Sequence, residues 1–157
     1  MKRSAIFLQV AIVLIGIAAL AFLLWEPHIE GRNAHSTLFE IYFKDPFLAY
    51  AYVTSIPFFL GLNQAFKFLG YAGQNKLLSL AALKALRIIK YCAISIIGFA
   101  AVGEIIIMLS SSDDRAGGVF MGILITFTAI IVAISVGKFE RILQNSIDIR
   151  SQNNLTV

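Results

Sequence analysis

Four apolar runs, each bounded by charged or turn-forming residues, set the pattern of this chain. The first, residues 5–25, follows Lys2-Arg3 and holds Gln9 as its one strong polar group. At ~1.5 Å per residue a run of this length crosses a hydrocarbon layer about 30 Å thick. Ala19-Leu20-Ala21 has the form of a signal-cleavage site. Phe22-Leu23-Leu24-Trp25 carry the apolar run past it, so the segment is expected to stay as a first span. The second run is 46–68. Asp45 suits an N-cap there, and Pro46 a first helical turn. Pro57 sits in its middle, where it frees the Val53 carbonyl and predicts a kink that Thr54 or Ser55 relieves. Runs 91–109 and 118–137 complete the set. The expected fold is all-α: an integral membrane four-helix bundle in one domain.

The connections differ in character. Residues 26–45 and 110–117 are polar loops broken by Pro27, Gly31 and the Ser-Ser-Asp-Asp stretch. Within the first, 38–43 reads as a short interfacial segment. Residues 69–90 carry Gly70, Gly73 and Asn75 as breakers, and Ser79 as cap of a helix from Leu80. On that helix Lys76, Lys84, Arg87 and Lys90 share an arc of about 120°, with Leu78, Ala81, Ala82, Ala85 and Ile89 opposite. Leu80 and Leu83 fall inside the basic arc. This predicts a short amphipathic segment at the membrane surface, feeding the third span. In the tail, 138–157, the residues Phe139, Ile142, Leu143, Ser146, Ile147 and Ile149 fall mostly on one side. They predict an amphipathic C-terminal helix.

Composition fits the pattern. Hydrophobic residues make up 59% and charged residues 14%, against roughly 25% charged in soluble domains. Mean hydropathy is +0.82. The net charge of +4 would ordinarily suggest nucleic acid. Here the charges sit at the ends of apolar runs, so the expected partner is a bilayer with anionic inner headgroups, with no direct nucleic-acid contact. Cys92 is the single cysteine, so it has no intramolecular disulfide partner and reads as a packing residue.

Charge also sets orientation. With the N-terminus in the cytoplasm, the inner side carries Lys2, Arg3, Lys67, Lys76, Lys84, Arg87, Lys90, Lys138, Arg141 and Arg150. The outer side carries Arg32, Lys44 and Arg115, the rest of the 13 basic residues. Cytoplasmic loops retain Lys and Arg. The expected location is therefore a bacterial cytoplasmic (inner) membrane with both termini inside.

Candidate chemistry is sparse. Glu104 is the one acid inside an apolar run, where a charge costs roughly 2.5–3.5 kcal/mol at the bilayer centre. Tyr50, Tyr52, Thr54 and Thr126 are the hydroxyls expected at its depth. Two ladders of small residues, Gly118/Gly122/Thr126 and Ala129/Ala133/Gly137, permit close helix packing. His28 and His35, with Glu26, Glu30 and Glu40, match no known ligand spacing, so no metal is expected. No nucleotide-binding, hydrolase or redox motif occurs, and no cofactor is expected.

Several stretches resemble a family of small bacterial four-span membrane proteins, domain of unknown function 2975. They are Ser55-Ile-Pro-Phe-Phe59, Gln64-Ala-Phe-Lys67, and Lys84-Ala-Leu-Arg-Ile-Ile-Lys-Tyr-Cys-Ala93. Asp113-Asp114 with Gly117, Leu143-Gln-Asn-Ser-Ile-Asp-Ile-Arg150 and Leu155-Thr-Val157 continue the match. Leu78 stands where the family has Phe, Arg115-Ala116 where it has Ala-Pro, and Asn154 where its tail has Asp. The family has no established activity, so the resemblance brings no site residues. Its members often neighbour small helix-turn-helix regulators, which implies a membrane partner in regulation. The expected role is thus a non-enzymatic regulatory or interaction protein, with a possible protein partner in the membrane or cytoplasm. Its working surface is the basic connection and the tail. The rival expectation is a small transporter or channel component using Glu104 and Pro57. A membrane enzyme ranks third.

Overall fold

The structure, a computed structural model, describes residues 2–29, 37, 39–40, 46–109 and 115–155, with no side chains described for 26–29, 115 and 153–155. Four helices form: α1 (Lys2–Ile29), α2 (Pro46–Gly73), α3 (Leu80–Leu109) and α4 (Arg115–Leu155). The all-α expectation holds, and no strand occurs among the described residues. The side chains of His28 and His35, residue Asp45 and the pair Asp113-Asp114 lie outside what is described. So does most of the expected interfacial segment at 38–43. At its edge Thr37 and Glu40 form a reciprocal cap. The Thr37 N–H and Oγ1 donate to Glu40 Oε2 at 3.2 and 3.0 Å, and the Glu40 N–H donates to Thr37 Oγ1 at 3.4 Å.

Each helix packs antiparallel on its neighbour in the chain: α1 on α2, α2 on α3, α3 on α4. At one end of the α1–α2 pair, Gln9 Nε2 donates to the Phe66 carbonyl at 3.0 Å, and Gly73 leaves room for Ala5. At the other end the Tyr52 hydroxyl donates to the Leu23 carbonyl at 3.4 Å. Between α2 and α3, Gly61 meets Cys92, and the Tyr50 hydroxyl donates to the Phe99 carbonyl at 2.5 Å. α2 runs unbroken through Pro57, with Thr54 and Ser55 bonded to the carbonyls of Ala51 and Tyr52.

The two small-residue ladders of α4 are one seam against α3. Gly118 faces Ile107, Gly122 faces Glu104, Ala129 is buried, and Gly137 faces the Lys90 stem. Past Gly137 the seam continues through Glu140 and Leu143 to Ile147, still at steps of three and four residues. The matching positions on α3 are Leu83, Leu86, Lys90 and Ala93. Such spacing keeps one stripe of each helix facing the other.

The basic segment feeds the third span as expected, and two details differ. The basic segment is the first third of α3, with no break at Lys90, and the tail is the last third of α4. Leu83, which fell in the basic arc, is 5% exposed, because α4 extends far enough to cover it. Conversely, the apolar side expected of the tail is divided. Leu143 and Ile147 enter the core with Ala82, Leu86, Phe68 and Tyr71, while Phe139, Ile142 and Ile149 remain about 60% exposed.

Elsewhere the apolar surface points outward. On α1, Phe7, Leu14, Ile17 and Phe22 are exposed, and on α4 so are Phe120, Ile123 and Phe127. Exposed apolar surface on this scale has no stable place in water. By length and composition, Lys2–Trp25, Leu80–Leu109 and Ala116–Gln152 are each apolar enough to cross a membrane. α2 is not in that set, since its tyrosines, hydroxyls, Pro57, Asn63 and Gln64 lower its hydropathy.

The seam yields a test. A Cβ on Gly122 would stand 2.7 Å from Glu104 Cγ and 2.9 Å from Oε1, closer than packed atoms sit. Gly122→Ala should cost about 1–3 kcal/mol through overpacking. It should lower the Tm of the purified protein in detergent. Adding Glu104→Ala should recover most of the loss, because it removes the atoms in conflict. Equal losses in the single and double variants would mean the conflict lies elsewhere.

Candidate functional site: the basic end of the α3–α4 pair

The antiparallel order gathers the charges. Lys2 and Arg3 open α1, Lys67 is near the end of α2, Lys84, Arg87 and Lys90 lie in the first third of α3, and Lys138, Arg141 and Arg150 lie in the last third of α4. The Ala5–Gly73 and Leu86–Leu143 neighbourhoods place these segments at one end of the molecule. The ten residues assigned to the inner side from sequence therefore share an end, Lys76 included through the turn that joins α2 to α3.

That turn is built by local rules. α2 stops at Gly73, and the N–H groups of Gln74 and Lys76 donate to the carbonyls of Gly70 and Tyr71 at 3.1 and 2.8 Å. Asn75 adopts φ 58°, a left-handed conformation that asparagine tolerates better than most residues. Ser79 caps α3 as expected: its Oγ accepts the Ala82 N–H at 3.2 Å and donates to the Lys76 carbonyl at 2.8 Å. Arg150 borders a shallow cavity against residues 75–79, so α4 reaches back as far as the turn.

Glu140 is the residue that sequence reasoning missed. It is the buried charged side chain of this end, 9% exposed. Arg87 Nε donates to its Oε1 at 3.0 Å and Lys90 Nζ to its Oε2 at 2.5 Å, so one carboxylate ties two cations of α3 to α4. The Lys90 hydrogen bond foremost, and then Arg87, hold the Glu140 carboxyl below its usual range, although its burial pushes the other way. A signal was present in the sequence: Glu140 is the one acid between Lys138 and Arg141, on the seam's spacing, facing a basic segment. The four basic candidates thus divide. Arg87 and Lys90 pair with Glu140, Arg87 while still half-exposed, whereas Lys76 and Lys84 are exposed without an ion pair to it.

Glu104 lies far from this cluster, half-buried within the membrane-crossing part of the seam, its carboxyl against Gly122. The hydroxyls expected at its depth are directed elsewhere: Tyr50 to Phe99, Tyr52 to Leu23 and Thr54 to Ala51. Thr126 Oγ1 is buried without a hydrogen-bond partner. Among the described residues no group of three or more His, Cys, Asp or Glu side chains is placed to hold a metal.

The Glu140 bridge predicts a pH dependence. A carboxyl whose folded pKa is lowered stabilises the fold above the unfolded-state value, about 4.3 for Glu. That contribution is lost as pH falls through the folded value. Glu140→Gln should therefore lose on the order of 1 kcal/mol at neutral pH, modest because both cations reach water. The gap between variant and parent should close in acid. Thermal melts of both proteins from neutral pH down to below pH 4 check this; a gap constant with pH would mean the carboxylate charge is not what stabilises.

Comparison with other proteins agrees with a membrane protein. Residues 32–157 match a family described as "Protein of unknown function (DUF2975)". The chain is similar to the uncharacterized membrane protein YoaS of Bacillus subtilis (strain 168), at 38% identity over 158 residues, covering 99% of each chain. No solved structure matches it. With four fifths of its length inside the family match and one membrane-protein relative along nearly all of it, the chain belongs to the DUF2975 family of membrane proteins of unknown function.

Proposed function

We propose that this is a non-enzymatic interaction or regulatory protein of the bacterial cytoplasmic membrane, with four spans and both termini in the cytoplasm. One observation carries the reading. α3 and α4 continue past the membrane-crossing part of their seam as a packed pair with its own core, at the basic end. A bilayer crossing needs about 20 residues, whereas α3 has 30 and α4 has 41. The surplus forms the packed pair at the basic end. It presents Phe139, Ile142 and Ile149, exposed, beside the free cations Lys84, Lys138 and Arg141. An apolar stripe with a basic margin recognises an amphipathic acidic surface.

Four spans are supported by the place of α2. It lies along α1 from Ala5–Gly73 to Leu23–Tyr52, so any slab that α1 crosses, α2 crosses beside it. Cysteine labelling checks the orientation. In a Cys92→Ser background, Asn33→Cys and Ser111→Cys should react with an impermeant maleimide in intact cells. Asn75→Cys should react only after lysis; labelling of Asn75→Cys from outside would refute the orientation.

Function is tested at matched membrane levels. Neutralising Lys84, Lys138 and Arg141 together leaves the Glu140 bridge intact, and it should abolish photocrosslinking of a protein partner through position 142. Glu104→Gln should leave that crosslink in place. The rival reading is a transporter component. It would gain if folded Glu104→Gln lost the cellular phenotype while the neutralised variant kept it.

A further inference from the structure

The turn between α2 and α3 and the last part of α4 border a shallow cavity of about 340 Å³. Its lining is Asn75, Lys76, Leu77, Leu78, Ser79 and Arg150. Both charged residues on it are cations, brought together from distant parts of the chain. Both are exposed, and neither makes an ion pair with a described residue. The acid nearest to Arg150 along α4, Asp148, accepts instead from the Gln144 amide at 2.8 Å.

The turn side of the cavity is held in place. The N–H groups of Asn75 and Lys76 donate to the Ala72 and Tyr71 carbonyls at 3.2 and 2.8 Å, and that of Ser79 to the Leu77 carbonyl at 2.9 Å. The N–H groups of Leu77 and Leu78 have no backbone partner. Two cations beside spare peptide N–H groups suit an anion whose oxygens accept from several directions. Arg150 offers a planar fork and Lys76 a point charge, and phosphate accepts both at once.

The level of the turn also bears on the ligand. Gly73, where α2 ends, abuts Ala5, the first residue of the α1 apolar run, and Lys2 and Arg3 stand just before it. Headgroup phosphates at that level can reach the turn, and basic pockets so placed hold lipid headgroups. Leu78 and Leu80, exposed at the same turn, add apolar surface next to the cations.

We propose that this cavity is a phosphate site, in which Lys76 and Arg150 hold the phosphate group of an anionic phospholipid or of a soluble phosphate monoester. It uses none of the residues of the apolar stripe around Ile142 or of its basic margin, so it does not depend on the function proposed for them.

Native mass spectrometry of the full-length protein in detergent tests this, by titration with phosphatidylglycerol, phosphatidylcholine and glycerol phosphate. Phosphatidylglycerol or glycerol phosphate should bind more tightly than phosphatidylcholine. Lys76→Gln and Arg150→Gln should each weaken that binding roughly tenfold, the loss of one charge-assisted hydrogen bond. Lys84→Gln removes an exposed cation of the same end outside the cavity and should leave binding unchanged. Lys76→Arg and Arg150→Lys keep the charges and should retain most of it, which separates loss of a ligand contact from misfolding. Preference for phosphatidylglycerol alone identifies a lipid as the source of the phosphate. Binding of glycerol phosphate with the same residue dependence identifies a soluble compound. The proposal is overturned if neither probe binds better than phosphatidylcholine, if only one of the two cations matters, or if Lys84→Gln costs as much as Lys76→Gln.

Discussion

The structure depends on how closely α3 and α4 approach, and the chemistry of that approach changes where the solvent changes. Between lipid tails there is no hydrophobic driving force between helices, because the tails are as apolar as leucine. Association there relies on backbone proximity, and the seam is Gly118, Gly122, Thr126, Ala129, Ala133 and Gly137. Past Gly137 the chain turns polar, with Lys138, Glu140 and Arg141, and the same stripe changes to Glu140, Leu143 and Ile147; in water, burial of such apolar area is favourable. Several of the most deeply buried side chains lie at that end, Ala82 at 0%, Ala85 at 2% and Leu86 at 3%, with Ala93 of the third apolar run equally buried at 3%. One helix pair thus changes along its length from close contact of small residues to burial of larger apolar side chains.

This division explains what was legible in the sequence. Apolar runs, the Ser79 cap, the start of α2 at Pro46 and the small-residue ladders follow from local rules, and they appear where those rules put them. Leu83 was misread because an arc of a single helix assumes one partner surface, the membrane. Its partner is Leu143, separated by about 60 residues of sequence, and no local pattern carries that pairing. Positions 83, 86, 90 and 93 keep steps of three and four straight through Lys90, in keeping with a basic segment that runs unbroken into the third span, as its sequence predicts. Glu140 escaped for a related reason. Its significance lies in Arg87 and Lys90, which belong to another helix.

α2 shows how a less apolar helix fits among lipid-facing ones. Its polar groups bond to carbonyl oxygens, which have spare lone pairs even inside a helix. Tyr50 and Tyr52 reach the neighbouring helices through Phe99 and Leu23, and Thr54 and Ser55 bond within their own turn. Gln9 of α1 makes the same kind of contact in return, to Phe66. Each cross-helix bond also fixes a register that featureless apolar faces would leave free to slide.

The Glu140 bridge has a further consequence for how the basic end meets its surroundings. A cation near an anionic leaflet is worth about 1 kcal/mol, and less with each ångström of withdrawal into the protein. Arg87 and Lys90 both pair with Glu140 and hold α4 against α3, Lys90 the more buried of the two and Arg87 half-exposed. Lys84, Lys138 and Arg141 remain exposed. The division separates holding the pair together from attracting a negatively charged surface. A leucine at 140 would pack the seam as well but leave two cations facing it unpaired. A second acid on the rim would cancel charges that now face outward. One buried carboxylate between two cations closes the pair and leaves the outward field positive.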